Sequence, residues 1–305
     1  MIKRLVATLL CFIIVAGFSA CGAGNEPQAD KPAGGKLSVS VTFNAMKEFV
    51  SAVGQDKVEI STIIPDGMEP HDFEPKAQDF VGLNTAKIFV YSGLGMETWI
   101  DDMVKAADNK DLIIVEASKG AESINNTDPE EIEEHGQYDP HIWLSLKGAQ
   151  TEVKNIKDAL VKADPSNKDY YEKNCTEYVS KLESLYKEYS EKFQAVDKKS
   201  FVTGHSAFAY LCRDFGLEQN SVEDVFAEGE PSAQQLTELV KYCKENKVTT
   251  IFAEELASPD VSKTLADEVG AKVETIYTVE SNEDNKTYLE RVTENLNKIY
   301  DSLTK

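Results

Sequence analysis

The 305-residue chain has only four histidines, in MEPHDFEP (68–75), EEHGQ (133–137), YDPHIWL (138–144) and VTGHSAF (202–208). His71 follows the apolar run VEISTII (58–64), and His205 follows the carboxyl end of another short run, SFVTG (200–204). His141 stands just ahead of a long helical pattern. Glu280 follows KVETIYTV (272–279), the last apolar run of the chain. Three neutral imidazoles and one carboxylate make a tetrahedral donor set that suits Zn²⁺. Taken singly, a histidine after a strand is more often a turn or surface residue than a ligand. Their separations of 60 to 75 residues are not a local motif such as HExxH. On residue chemistry alone, a metal site and a set of ordinary loops both remain open.

The elements that must position these residues can be read from periodicity. In the first half, LSVSVTF (37–43) precedes AMKEFVSAVG, and VEISTII precedes His71 and then AQDFVGLNTA (77–86). KIFVY (87–91) precedes METWIDDMVKAA (96–107), and LIIVE (112–116) follows. The second half repeats the logic. SFVTG (200–204) leads to SAFAYLCRDFG, then SVEDV (221–225), PSAQQLTELVKYCKENK, TTIFAEE, SKTLADEVG, KVETIYTV and a closing helix, TYLERVTENLNKIYDSL. Strands alternating with helices predict an α/β fold with a parallel sheet in each half. Ligand sites in such sheets gather beyond the carboxyl ends of the strands. His71, His205 and Glu280 are all expected there, and a cleft between two Rossmann-like domains would bring them together with His141. Between the halves, Leu146, Ala149, Val153, Ile156 and Leu160 form one helical stripe ending at Asp164-Pro165, an N-cap and first-turn pair. The next helix carries Tyr171, Cys175, Tyr178, Leu182, Leu185, Tyr189 and Phe193 three or four residues apart, read as core packing. At roughly 28 residues it would be about 42 Å long, a stiff connection. The expected boundaries are 37–165 for the first domain, 166–196 for the linking helix and 197–305 for the second domain.

Composition restricts the partners. The net charge of −21 repels nucleic acid and anionic lipid headgroups. The N-terminus pairs a basic MIKR with the apolar LVATLLCFIIVAGF, a secretory signal over residues 1–20 that is too short for a spanning helix. FSAC resembles a lipobox, with Phe18 where leucine is usual. That resemblance implies that Cys21 is the lipidated first residue of a flexible tether, residues 21–36, holding the protein to the outer face of the cytoplasmic membrane; a plain signal peptide cleaved near Cys21 is the alternative. Cys175, Cys212 and Cys243 lack CxxC spacing, which argues against a thiolate metal site. An exported compartment permits one disulfide, for which Cys212 and Cys243 are the candidates.

The segments PHDFEP, YSGLGMETWIDDM, DPHIWLS, TGHSAFAYL, EGEPSAQQLTELV, IFAEE and YLERVTENLNKIY, in this order from Leu37 onward, resemble the metal-binding lipoproteins of bacterial ABC importers. These are the zinc and manganese solute-binding proteins of the ZnuA and TroA type. The resemblance implies that His71, His141 and His205 bind the metal and that Glu280 is the fourth ligand. The chain reads Thr-Val-Glu-Ser here, where relatives often have Pro-Leu-Glu or Thr-Asp-Ser, and Glu283 and Asp284 are the neighbouring alternatives. Manganese members typically carry a carboxylate at the position of His205. Three imidazoles therefore place Zn²⁺ ahead of Mn²⁺ or iron. Glu228, Glu230, Glu254 and Glu255 read as capping groups or as partners for the far nitrogens of ligating histidines. Trp143 would wall the site, and Trp99 reads as packing. His135 sits in the acidic stretch NNTDPEEIEEHGQYDP, where a solvated loop and a weak zinc-collecting role both fit.

The expected function is capture of Zn²⁺ outside the cytoplasm by a monomeric, lipid-anchored binding protein, with delivery to an ABC permease. A secreted zinc hydrolase is the alternative of a different class. It needs an open coordination position, hence Glu280 not a ligand, and neither HExxH nor a GxSxG elbow is present. Surface lipoproteins of this kind also raise cell adhesion, but nothing in the sequence specifies a host contact.

Overall fold

β-Branched and aromatic runs fill the centres of two parallel sheets. In the computed structural model, which describes residues 35–127, 132–133, 136–225, 232–256, 258–282 and 284–304, each half builds one four-stranded sheet. The first contains β1 (Leu37–Val41), β2 (Val58–Thr62), β3 (Ile88–Tyr91) and β4 (Ile113–Glu116), in spatial order β2-β1-β3-β4. The second contains β5 (Ser200–Thr203), β6 (Glu218–Ser221), β7 (Thr250–Glu254) and β8 (Lys272–Ile276), in order β6-β5-β7-β8. The two sheets thus share one topology. In both, chain order reverses beside the first strand, the position where open α/β sheets take ligands. Every pairing is parallel, for instance Leu37 opposite Val58 and Thr250 opposite Lys272. Central strands such as Thr250–Glu254 are buried along their whole length, as parallel sheets covered on both faces require.

The helices cover these sheets with apolar stripes. Helix α1 (Asn44–Gly54) buries Ala45, Met46, Phe49, Val50 and Val53. Its last residue is Gly54, where a Cβ would lie 2.4 Å from the Val58 side chain. Helix α2 (Ile100–Ala106) is short, and α3 (Leu146–Ala163) buries the whole expected stripe. Helix α4 (Lys168–Gln194) has 27 residues, which is about 40 Å of rod. Near its start Asn174 donates to the Val53 carbonyl (2.9 Å), and near its end the Tyr189 hydroxyl meets Asn297 (2.5 Å). The rod therefore runs from the first half to the second. Helices α5 (Ala209–Phe215), α6 (Ala233–Glu245), α7 (Asp260–Val269) and α8 (Tyr288–Thr304) complete the second half.

Several local expectations change. AQDFVGLNTA forms only a single 3-10 turn, Val81–Asn84, in which Leu83 is the one buried residue. Helix α2 begins at Ile100 rather than Met96. Glu97 folds back instead, accepting from the backbone N–H groups of Ser92 (2.9 Å) and Gly93 (3.0 Å) and from the Thr42 hydroxyl (2.6 Å). The strand beside β5 is the polar EQNS, upstream of SVEDV, held by its ladder to Ser200–Thr203 rather than by burial. Asp164 binds Ser166, Asn167 and the Tyr171 hydroxyl, and Pro165 opens a 3-10 turn ahead of α4. Cys175, Cys212 and Cys243 are free buried thiols, so the expected Cys212–Cys243 bridge is absent: the two residues pack in different apolar clusters. The leader, Cys21, His135, Glu228, Glu230 and Glu283 lie outside the described residues.

Candidate metal centre

His71 sits in the loop after β2. Phe73 anchors that loop, packing its ring on Trp99 with centroids 5.6 Å apart. Two residues before His71, Glu69 accepts from the His71 backbone N–H at 3.5 Å. The same device recurs in the loop before α3. There Asp139 Oδ1 accepts from both the backbone N–H and the ring Nδ1 of His141, each at 2.9 Å. A carboxylate only accepts, so His141 carries its proton on Nδ1 and presents the lone pair of Nε2. The Tyr210 hydroxyl holds the Asp139 carbonyl (2.6 Å), and Trp143 lies behind the ring.

His205 follows β5. Its Nε2 donates to the Val225 carbonyl at 2.8 Å, which leaves the lone pair on Nδ1. Its backbone is fixed from both sides. The N–H donates to Glu254 (3.0 Å), while Thr203 and Gln219 donate to its carbonyl at 2.6 and 2.7 Å. Gly204 allows this approach, since a Cβ there would stand 2.4 Å from Glu254 Oε2. Burial, then the neighbouring His141, pushes the His205 imidazole down to about 3, so the ring is neutral at physiological pH.

The three rings face one another with centroids 4.8 to 5.5 Å apart. One nitrogen of each lies within 4.8 Å of the other two. The Nε2 atoms of His71 and His141 are 3.1 Å apart. Two nitrogens bound tetrahedrally at zinc's bond length would stand about 3.3 Å apart, so this pair needs little adjustment.

Glu280 follows β8 and is 3% exposed. Its Oε2 accepts from the Thr278 hydroxyl (2.7 Å), while Oε1 is buried without a hydrogen-bond partner. Glu280 groups with Glu69 and His71, their donor atoms within 4.8 Å of one another, so two triads share His71. Burial, then Glu69, Glu255 and Glu254, pushes the Glu280 carboxyl well above the usual range. Burial also lifts Glu254 to about 8 and, with Asp72, Glu255 and Glu223 nearby, Glu69 to about 7. Crowding carboxylates in a dry site is costly, and a divalent cation would relieve that cost.

The structure thus gathers His71, His141 and His205 in one triad and joins Glu280 to His71 in a second, with Glu69 as a donor the sequence reading passed over. Glu254 contacts the backbone of His205, not its ring. Glu255 accepts from the Thr278 and Val279 N–H groups at 2.8 and 3.0 Å. Asp284 turns to α8: despite the cost of burial, Arg291 and Lys286 hold its carboxyl below the usual range. Asp139 and Glu69 were overlooked, although one signal marks both. Glu69-Pro70-His71 and Asp139-Pro140-His141 repeat the pattern acid-Pro-His, with the acid placed to catch the N–H of the histidine.

The chain is similar to known zinc-uptake proteins along most of its length. The family model for the periplasmic zinc-uptake complex component A matches residues 39–302. A Treponema pallidum protein named for metal binding is 47% identical over 279 residues, 88% of either chain. The high-affinity zinc uptake system protein ZnuA of Bacillus subtilis is 40% identical over 306 residues, 96% of this chain and 95% of its own. The solved structure of the Zn(II)-bound ZnuA-like domain of Streptococcus pneumoniae AdcA is 34% identical and superposes with a TM-score of 0.76 over 89% of this chain and 100% of that one. With a family match over nearly the whole described chain and relatives above 30% identity along most of their length, the protein belongs to the zinc-uptake complex component A family.

Proposed function

We propose that this chain captures one Zn²⁺ outside the cytoplasm with His71, His141, His205 and Glu280 and hands it to the permease of an ABC importer. The observation that carries this reading is the convergence of three imidazoles, with the 3.1 Å nitrogen pair close to a tetrahedral edge. Two further features support it. Asp139 and Val225 fix the tautomers of His141 and His205, and buried Glu280 Oε1 has no hydrogen-bond partner. The metal is cargo, so affinity must be high yet reversible on docking. Cys21 serves as the lipid anchor and the protein works as a monomer. Its family consists of binding components of uptake systems, and the protein is not an enzyme.

The test combines competition titration of Zn²⁺ against Mn²⁺ with zinc-limited growth of cells lacking the chain. The parent protein restores growth and His205→Ala does not. Equal growth with both proteins would contradict the reading. The triad Glu69–His71–Glu280 supplies a specific reason to keep Mn²⁺ as a second cargo, because two carboxylates and one imidazole suit a harder ion.

A further inference from the structure

The segment Thr278–Ser281, which carries Glu280, has an unusual density of backbone restraints. The N–H groups of Thr278 and Val279 both donate to the Glu255 carboxylate. The Thr278 carbonyl accepts from the Trp143 indole at 2.8 Å. Asn44 donates its backbone N–H to the Glu280 carbonyl (3.2 Å) and its side-chain amide to the carbonyls of Val279 and Ser281 (3.5 and 3.3 Å). The Ser281 hydroxyl accepts from the Gly67 N–H at 2.7 Å. Val279 is β-branched and buried, yet has φ of +62°, a conformation that persists only when its surroundings impose it.

The far end of this segment is gripped by one cation. Arg291 on α8 is 1% exposed. Its guanidinium donates to the Ser281 carbonyl, to Asn282 Oδ1 (3.1 Å), and through Nε and Nη2 to Asp284 Oδ1 (3.0 and 2.7 Å). A planar fork of donors reaches acceptors spread along one loop in fixed directions, a geometry that the compact ammonium of a lysine does not reproduce. Glu255 therefore pins the segment just before Glu280 and Arg291 pins it just after. Between the two pins, Glu280 Oε1 is left without a hydrogen-bond partner.

We infer that Arg291, working opposite Glu255, is a positioning residue that fixes Glu280 as a preorganised metal ligand. The inference rests on the zinc-capture reading and assigns to Arg291 a share of the affinity without contact to the metal. Fixing a carboxylate in advance removes the cost of ordering it at binding, the same logic by which partners behind metal ligands set affinity. The strained turn at Val279 makes the two-sided grip necessary: once Arg291 lets go, the segment has a lower-energy backbone to relax into, and Glu280 leaves its place.

The test is a double-mutant cycle on the purified protein, reading the zinc dissociation constant by competition with a chromophoric chelator at pH 7. Arg291→Ala is expected to weaken zinc about 10- to 100-fold. Arg291→Lys, which keeps the charge but not the fork, is expected to fall between alanine and the parent. In a Glu280→Ala background, Arg291→Ala is expected to cost less than about twofold, because its effect runs through the carboxylate. Equal losses in both backgrounds would mean that Arg291 supports only the fold; that overturns the inference and leaves Glu280 a ligand. A Glu280→Ala protein with parental affinity overturns both the inference and the assignment of Glu280. If Arg291→Ala fails to fold, Glu255→Gln serves in the same cycle. Its amide oxygen can still accept, but its amide nitrogen cannot, so the same dependence on Glu280 is expected, and its absence overturns the inference.

Discussion

Replacing Asp139 with alanine removes the group that aims His141 without touching the donors themselves. Asp139 Oδ1 takes two hydrogen bonds at 2.9 Å, one from the His141 backbone and one from its ring Nδ1. His141 is wholly buried, so water cannot replace the lost partner freely. Leaving a buried N–H unmet costs about 1–3 kcal/mol. The ring can also escape that cost by moving its proton to Nε2, the atom that stands 3.1 Å from His71 Nε2 and would be needed for metal. Either route penalises the bound state, and losses of about 10- to 100-fold in affinity are typical for such partners. That corresponds to about 1.4–2.7 kcal/mol. Chelator competition at pH 7 measures it directly. Asp139→Asn keeps an acceptor oxygen and should lose less. An Asp139→Ala protein with native circular dichroism and a zinc affinity within twofold of the parent would refute the argument that this carboxylate sets the tautomer of His141.

Other expectations follow from particular contacts. Gly204→Ala places a Cβ 2.4 Å from Glu254 Oε2, and the displaced Glu254 is the group that holds the His205 N–H; chemical denaturation should show a loss of about 1–3 kcal/mol, together with weaker zinc binding, whereas parental values in both would show that Glu254 gives way freely. Glu152 on α3 is wholly buried with one oxygen unpartnered, and burial, then nearby Glu97, raises its carboxyl well above 4.5. The folded protein therefore keeps a proton that the unfolded chain loses, and the contribution of this group to stability declines as pH rises above about 4.5, by up to about 1.4 kcal/mol per pH unit until the folded carboxyl itself ionises. In urea titrations of metal-free protein, Glu152→Gln should gain on the parent as pH rises above about 4.5, and parallel curves would mean that Glu152 is ionised in the fold. Leu182→Ala, at a 0% exposed position on α4, should cost about 2–5 kcal/mol in the same assay, and a loss below 1 kcal/mol would mean that the rod does not depend on its buried stripe.

The sequence made the sheets legible where burial dictates residue type. The cores of β3, β5 and β7 are apolar runs because both faces of a parallel sheet are covered. The strand at Glu218–Ser221 escaped because an edge strand can be polar when its ladder alone holds it. The start of α2 escaped because Glu97 spends its side chain on the Ser92–Gly93 turn, a choice that no periodicity records. At the site, strand ends pointed to His71, His205 and Glu280, and the helical pattern ahead of Leu146 located His141. Asp284 could not be separated from Glu280 by sequence, since its engagement with Arg291 depends on how the loop meets α8. Glu69 and Asp139 were legible only through the repeated acid-Pro-His pattern, whose meaning appears once both N–H bonds are seen.

The central claim is that four side chains drawn from both halves close around one zinc ion. It is tested most directly by metal stoichiometry and affinity of the purified protein beside its His205→Ala and Glu280→Ala variants. The account expects one tightly held Zn²⁺ per chain, and weaker binding in both variants with the fold intact. A single zinc whose affinity ignores both substitutions, or a preference for Mn²⁺ in the parent, would contradict it.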